Sequence, residues 1–335
     1  NKIESVETGT IKGGMKMFRG DELVKISGEL VEFIRNVFRS FSAECAVIGL
    51  SGGIDSAVVF KLLIEALGSE RILAVILPEL TTPRSALRDA MNLAKSHGVK
   101  TIKKNISPMM FASGAYFKLE MLSMLAPQIS RWLKEKFEKE VVREDIYLHT
   151  LKTSKNKWVA RGTSLYRMKH RLRMIMLYYF AERTNGLVVG TANRSEYLTG
   201  FFVKHGDGAA DLMPIIELYK TEIFELAEIL HVPQSIIKRP PSPDLIPGVT
   251  DEYALGIDYT ALDLILEALV DHQLDLEEAA KETGISLRAV ERIKKILDMS
   301  SAMRVPFISP GLRRDGDVEN EQRSSRDDLG AGDHC

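Results

Sequence analysis

Cysteine is nearly absent. The 335-residue chain carries two, Cys45 and Cys335, so no disulfide framework holds it, and a reducing cytoplasmic setting is expected. Long apolar runs are missing as well. No stretch reaches the roughly eighteen residues that a membrane-spanning helix needs, and no basic-then-apolar leader opens the chain. Charge of one sign is also lacking: 45 Lys plus Arg stand against 46 Asp plus Glu, a net charge of −1, which argues for no nucleic-acid or membrane partner. What the chain does have is apolar residues, 45% of the total, enough for a substantial core.

Four apolar runs read as strands, at 45–50, 72–77, 100–102 and 187–190. Helix patterns separate them at 56–67, 83–97 and 165–183, and an amphipathic helix at 23–38 precedes them. Alternation of strand and helix predicts an α/β fold with a doubly wound parallel sheet, its ligands at the carboxyl ends of the strands. Helices at 220–230 and 259–269 follow, then a C-terminal helical appendage over 276–299. The expected division is an N-terminal helix (1–40), a catalytic domain (41–270), a helical segment (271–308) and a disordered tail (309–335). Residues 108–164 exceed a plain crossover and carry a helical stretch near 126–142. Eight Lys or Arg and no acid lie in 152–173, which reads as a solvated basic edge or as a flap or dimer surface that meets phosphates.

The most informative stretch is Ser51-Gly52-Gly53-Ile54-Asp55-Ser56, which joins the first strand to the next helix. Without Cβ atoms, Gly52 and Gly53 let backbone N–H groups converge on an anion at the positive end of a helix, and Ser51 and Ser56 add hydroxyls. Asp55 would repel a bare phosphate, so its carboxylate implies a bridging Mg²⁺. No Lys follows the turn, which excludes the Walker loop.

This hexapeptide resembles the pyrophosphate loop of the N-type ATP pyrophosphatases, enzymes that cleave ATP between the α and β phosphates and adenylate an acceptor oxygen. The run Gly190-Thr191, Glu196, Thr199-Gly200-Phe201-Phe202, Lys204 and Gly206-Asp207-Gly208, ending at Asp211, resembles the ammonia-dependent NAD synthetases of that superfamily. Leu218-Tyr219-Lys220-Thr221-Glu222, Pro241-Ser242-Pro243-Asp244-Leu245 and the Arg171-Leu172-Arg173-Met174 helix extend the match over roughly residues 20–310. The resemblance implies an adenine nucleotide α-hydrolase-like fold, a homodimer, and ATP-driven amidation of deamido-NAD by ammonia through an acyl-adenylate. It implies Asp55 and Glu196 as Mg²⁺ ligands, and Lys220 and Arg171 on the ATP phosphates, with Asp55, Lys220 and Arg171 as the catalytic set. Ser51, Gly52, Gly53, Ser56, Thr191 and Ser242 would complete the ATP site. Lys204 and Asp211 would hold the pyridine carboxylate end of deamido-NAD.

The glutamine-dependent members of the family carry a nitrilase-like domain before the synthetase part. About forty residues precede the sheet here, so free ammonia or a separate glutaminase subunit is the expected nitrogen source. Where the family has a closing His-Lys-Arg run, this chain reads Ser301-Ala302-Met303-Arg304, which admits a relative that amidates a different carboxylate. Residues 276–293 also read like a helix-turn-helix of a DNA-binding regulator. Six acids against five bases over 274–299 favour a helical hairpin packed on the α/β domain.

Overall fold

Apolar side chains on both faces of short β-branched runs demand a sheet covered on both sides. The computed structural model, which describes residues 17–116, 146–151, 157–241 and 250–305, meets that demand. Strands β1 (Cys45–Gly49), β2 (Ile72–Ile76), β3 (Lys100–Lys103) and β4 (Gly186–Val189) form one parallel sheet in the order β3-β2-β1-β4. Val47 of β1 lies in register with Leu73 of β2 and Val188 of β4. The expected strands are all present, within a residue at each end.

Helix α1 (Asp21–Ser40) and α2 (Ile54–Leu67) cover one face, joined by α3 (Arg84–Ser96) and, after the sheet, α8 (Lys220–Ile229). Their apolar residues meet Ala46, Ile48, Ala74 and Ile76 in the largest core cluster. Between α3 and that last helix come β3, α4 (Ser107–Ala112), α5 (Ile146–Leu151), α6 (Lys157–Arg183), β4 and α7 (Arg194–Thr199). Met174, Leu177 and Ala181 of α6 pack on the other face, against Val47, Leu73, Val75 and Val188. The apolar stripe of α1, Leu23, Val31, Ile34 and Phe38, is buried inside this protomer.

Helix α6 starts two turns before the 165–183 expectation, because its early turns find a partner in α5. Arg167 donates to the Thr150 carbonyl across that contact, at 2.7 Å.

The remaining helices are α9 (Gln234–Ile237), α10 (Asp251–Leu255), α11 (Tyr259–Leu266), α12 (Leu276–Thr283) and α13 (Leu287–Arg304). The last two are the hairpin suggested by the charge balance. Asp275 and Glu278 form a capping box at the start of α12, and Gly284 in the left-handed region ends it. The inner faces, Ala279, Val290, Ile293 and Ile296, pack on Leu262 and Leu266 of α11 in a second core. Described residues through Arg304 form one compact unit. The helix expected at 126–142, the 309–335 tail and Ser242 lie outside the described residues. Among the described residues no helix is long and apolar enough to cross a membrane.

Candidate active site

The sheet order places β1 beside β4, so the chain leaves these neighbours in different directions and opens a crevice at their carboxyl ends. Both motifs found in the sequence lie there. After β1, the turn Ser51-Gly52-Gly53 leads into α2. Gly52 has φ +83, and a Cβ on it would stand 2.2 Å from the Ala86 carbonyl oxygen of α3. Only glycine satisfies both the torsion and that approach. The Ser51 and Ser56 hydroxyls lie 3.0 Å apart, and Ser56 Oγ can also donate to the Gly53 carbonyl. In the structure they brace the loop from within. Arg239, beyond α9, donates to the Gly52 carbonyl at 2.7 Å and pairs with Asp89 of α3, fixing the loop from outside.

After β4, Gly190-Thr191-Ala192 leads to Asn193, a fully buried residue that builds the start of α7. Its Oδ1 accepts from the Glu196 N–H at 3.0 Å, while Glu196 Oε2 accepts from the Asn193 N–H at 3.4 Å, a capping box. The Asn193 amide Nδ2 donates to Asp55 Oδ1 at 2.9 Å. One asparagine thus positions both candidate metal-binding carboxylates.

Lys220, 1% exposed, is the first residue of α8 and reaches into the same place. Its Nζ donates to Asp55 Oδ2 at 2.6 Å and stands 3.6 Å from Glu196 Oε1 and 5.4 Å over the Tyr259 ring. Behind it, the Lys220 N–H donates to Ser195 Oγ at 2.9 Å, and Ser195 donates to the buried Asp263 of α11 at 2.5 Å. Burial opposes the Lys220 charge, but Asp55 and Glu196 outweigh it and raise the ammonium above its ordinary value. Burial, then Asp55, pushes the Glu196 carboxyl up to about 8 despite Lys220. With Glu196 ionised, two carboxylates face one ammonium, and the unmatched negative charge is the donor chemistry of a divalent cation held partly by phosphate and water. Among the described residues no group of three or more His, Cys, Asp or Glu forms a fuller metal cage.

The crevice is a cavity of about 320 Å³, lined by Ser51, Gly53, Asp55, Ser56, Glu196 and Lys220 together with apolar residues of β2 and α6. Thr191 also lines it. Arg171 does not. It is exposed on α6 and donates to the Lys204 carbonyl at 3.2 and 3.3 Å, whereas Arg173, two residues on, lines the cavity. Lys204 Nζ lies 3.5 Å from the Ala302 carbonyl. Asp211 accepts from the Val188 N–H at 2.7 Å and from the Tyr178 hydroxyl at 2.9 Å, so in one protomer it secures β4. Arg304 turns back to the Leu198 carbonyl at 2.6 Å and closes no site. Sequence reasoning missed Asn193 and Arg239. The Asn193-x-x-Glu196 spacing is a readable capping signal, while nothing local announces Arg239.

A glycine turn, two carboxylates and a buried lysine at the switch point of a parallel sheet mark an α/β protein of the nucleotide-binding class. Known proteins agree. The NAD synthase family model matches residues 26–131 and 128–306, and the chain belongs to the NAD synthase family. It is 40% identical to the NH₃-dependent NAD⁺ synthetase of Thermotoga neapolitana over 294 residues, covering 86% of this chain and 97% of that protein. Among solved structures, NMN synthetase from Francisella tularensis superposes with TM-score 0.64 and 28% identity, covering 87% of this chain and 99% of that one. An NH₃-dependent NAD synthetase from Campylobacter jejuni, in complex with nitrate, gives 0.60 and 25%, covering 86% and 99%. The fold is of the adenine nucleotide α-hydrolase-like type.

Proposed function

We propose that the chain joins ammonia to the nicotinate carboxylate of deamido-NAD, driven by cleavage of ATP to AMP and pyrophosphate. The observation that carries this reading is the buried Lys220 ammonium between Asp55 and Glu196, beside the glycine turn. The names of the similar proteins support the substrate and the nitrogen donor.

In this reading the carboxylate oxygen attacks the α-phosphate and pyrophosphate departs, leaving an acyl-adenylate. The ammonia nitrogen then adds to the acyl carbon, loses a proton and expels AMP. No protein nucleophile is needed. The loop N–H groups and Lys220 orient and neutralise the triphosphate, and the buried setting strengthens both effects. Asp55 and Glu196 would hold Mg²⁺, which when bound supplies neutralising charge for the leaving pyrophosphate. Thr191 and Ser242 serve the nucleotide.

Arg171 of α6 holds the Lys204 carbonyl, Tyr178 two turns on holds Asp211, and Ile175 and Tyr179 of the same helix are exposed. A homodimer formed through this exposed face brings Arg171, Lys204 and Asp211 to a dinucleotide lying against the interface, where they serve its phosphates and pyridine end. We assign free ammonia as the donor, a separate glutaminase subunit being the other source.

The test follows products from ATP, ammonium, Mg²⁺ and deamido-NAD. AMP, pyrophosphate and NAD in equal amounts are expected, and Lys220→Met should lower turnover by at least about 10³ with an unchanged circular dichroism spectrum. ADP as the nucleotide product overturns the chemistry. AMP formed with another acid, but no NAD from deamido-NAD, overturns the substrate.

A further inference from the structure

Across the cavity from the charged centre lies a second buried ion pair, which the chemistry above does not use. Glu79 sits just beyond β2 with its side chain wholly buried, and Lys169 of α6 is 9% exposed. Lys169 Nζ donates to Glu79 Oε1 at 2.9 Å, and the Thr81 hydroxyl donates to the same oxygen. The Tyr116 hydroxyl donates to Oε2 at 2.5 Å. Two backbone-anchored bonds close the turn: the Glu79 N–H donates to Thr82 Oγ1 at 2.9 Å, and the Thr82 N–H to the Glu79 carbonyl at 3.1 Å. Burial pushes this carboxyl up, but the Lys169 ammonium and the two hydroxyls prevail and hold it at about 2.

One carboxylate therefore gathers three separate pieces of chain. The turn after β2 carries Leu77, Pro78 and Thr82, which line the cavity, and α6 carries Tyr166 and Arg173, which line it from the other side. Arg173 Nε adds a parallel tie to the Leu77 carbonyl at 3.3 Å. Glu79 and Lys169 are not among the residues that line the cavity. A buried charge pair is a poor source of net stability, since desolvation offsets most of its attraction. Its geometric effect is firmer. Three donors converging on one carboxylate fix the separation of the elements that carry them.

We propose that Glu79 is a positioning residue for nucleotide binding: with Lys169, Thr81 and Tyr116 on one carboxylate, it sets the spacing between the β2–α3 turn and α6, the two walls that grip the nucleotide. This rests on the reading that the cavity takes ATP. The Asp55–Glu196–Lys220 centre stands on other elements, so the clasp acts on affinity and leaves the saturated rate alone.

The test uses the full chain with Glu79→Gln, Lys169→Met and the double variant Glu79→Leu/Lys169→Met, by calorimetric titration with ATP, by KM and kcat for ATP, and by thermal unfolding. Both single variants should raise Kd and KM for ATP about tenfold or more with kcat within about twofold, the scale of a small misplacement of a binding wall. The double variant should raise them no further than a single one, because the two side chains act as one device. Where a single variant fails to fold, Tyr116→Phe removes one donor and should still raise Kd for ATP by about threefold. A lowered Tm with Kd and KM unmoved, or a loss that falls on kcat, overturns the proposal. A wild-type chain that binds ATP but makes no NAD rejects deamido-NAD as substrate and leaves the ATP titration to judge Glu79. A wild-type chain that binds no ATP overturns both.

Discussion

Asp263→Asn isolates the buried carboxylate behind Lys220, and its effect on stability should depend on pH. Asp263 is 0% exposed on α11, accepting from Ser195 Oγ at 2.5 Å and from the Thr221 N–H at 2.9 Å. Burial raises its carboxyl to about 7 from an ordinary 3.8, against the lowering effect of those two hydrogen bonds. Between these values the folded chain keeps a proton that the unfolded chain releases. The stability this group contributes is therefore complete below about 4 and lost as pH rises through about 7. A window of about three pH units at about 1.4 kcal/mol each sets a ceiling near 4 kcal/mol. The asparagine cannot titrate, and every other group titrates alike in both proteins. The variant should therefore gain on wild type by about 2–4 kcal/mol between pH 4.5 and pH 8, whatever its absolute stability. In thermal unfolding the variant's Tm minus that of wild type should rise by about 3–6 °C across that range. Turnover should fall, because Ser195, which accepts the Lys220 N–H, exchanges its carboxyl partner for an amide. Parallel curves at all pH values, or a variant that loses ground to wild type as pH rises, would refute the reasoning.

Two further outcomes follow from the same geometry. Asn193→Ala should cost about 1 kcal/mol for the lost helix cap and also lower activity, while Asn193→Ser should keep the cap and the stability but not the Asp55 contact, so its activity alone should fall; equal stability and equal activity in both would show that the asparagine does not orient Asp55. Light scattering at micromolar concentration should return twice the chain mass, and Ile175→Glu on the exposed face of α6 should return the single mass with reduced deamido-NAD turnover; a fully active monomer would overturn the homodimer.

The sequence by itself determined what is local. Strand runs, helix stripes and the glycine turn are written in neighbouring residues, and among the described residues each expected element lies within a few residues of its place, α6 excepted. The phosphate loop was legible because Gly52 must be glycine for reasons of its own torsion as well as of the nearby Ala86 carbonyl. The tertiary structure alone decided which charges meet. Asp55 and Lys220 are 165 positions apart and Asn193 and Asp55 are 138 apart, distances at which no periodicity carries information. It also removed candidates from the cavity. Arg171 and Arg173 sit on the same basic helix, yet the 3.6-residue turn sends them to different sides, and only Arg173 lines the crevice. Asp211, a candidate ligand from its motif, also accepts from the Val188 N–H of β4 in the fold. Glu79 and Lys169 looked like ordinary charged residues, and only close packing of α6 on the turn after β2 showed that they form one buried clasp. Burial is the physical reason: a charge becomes informative when water is excluded around it, and exclusion belongs to the assembled fold rather than to any segment of the chain.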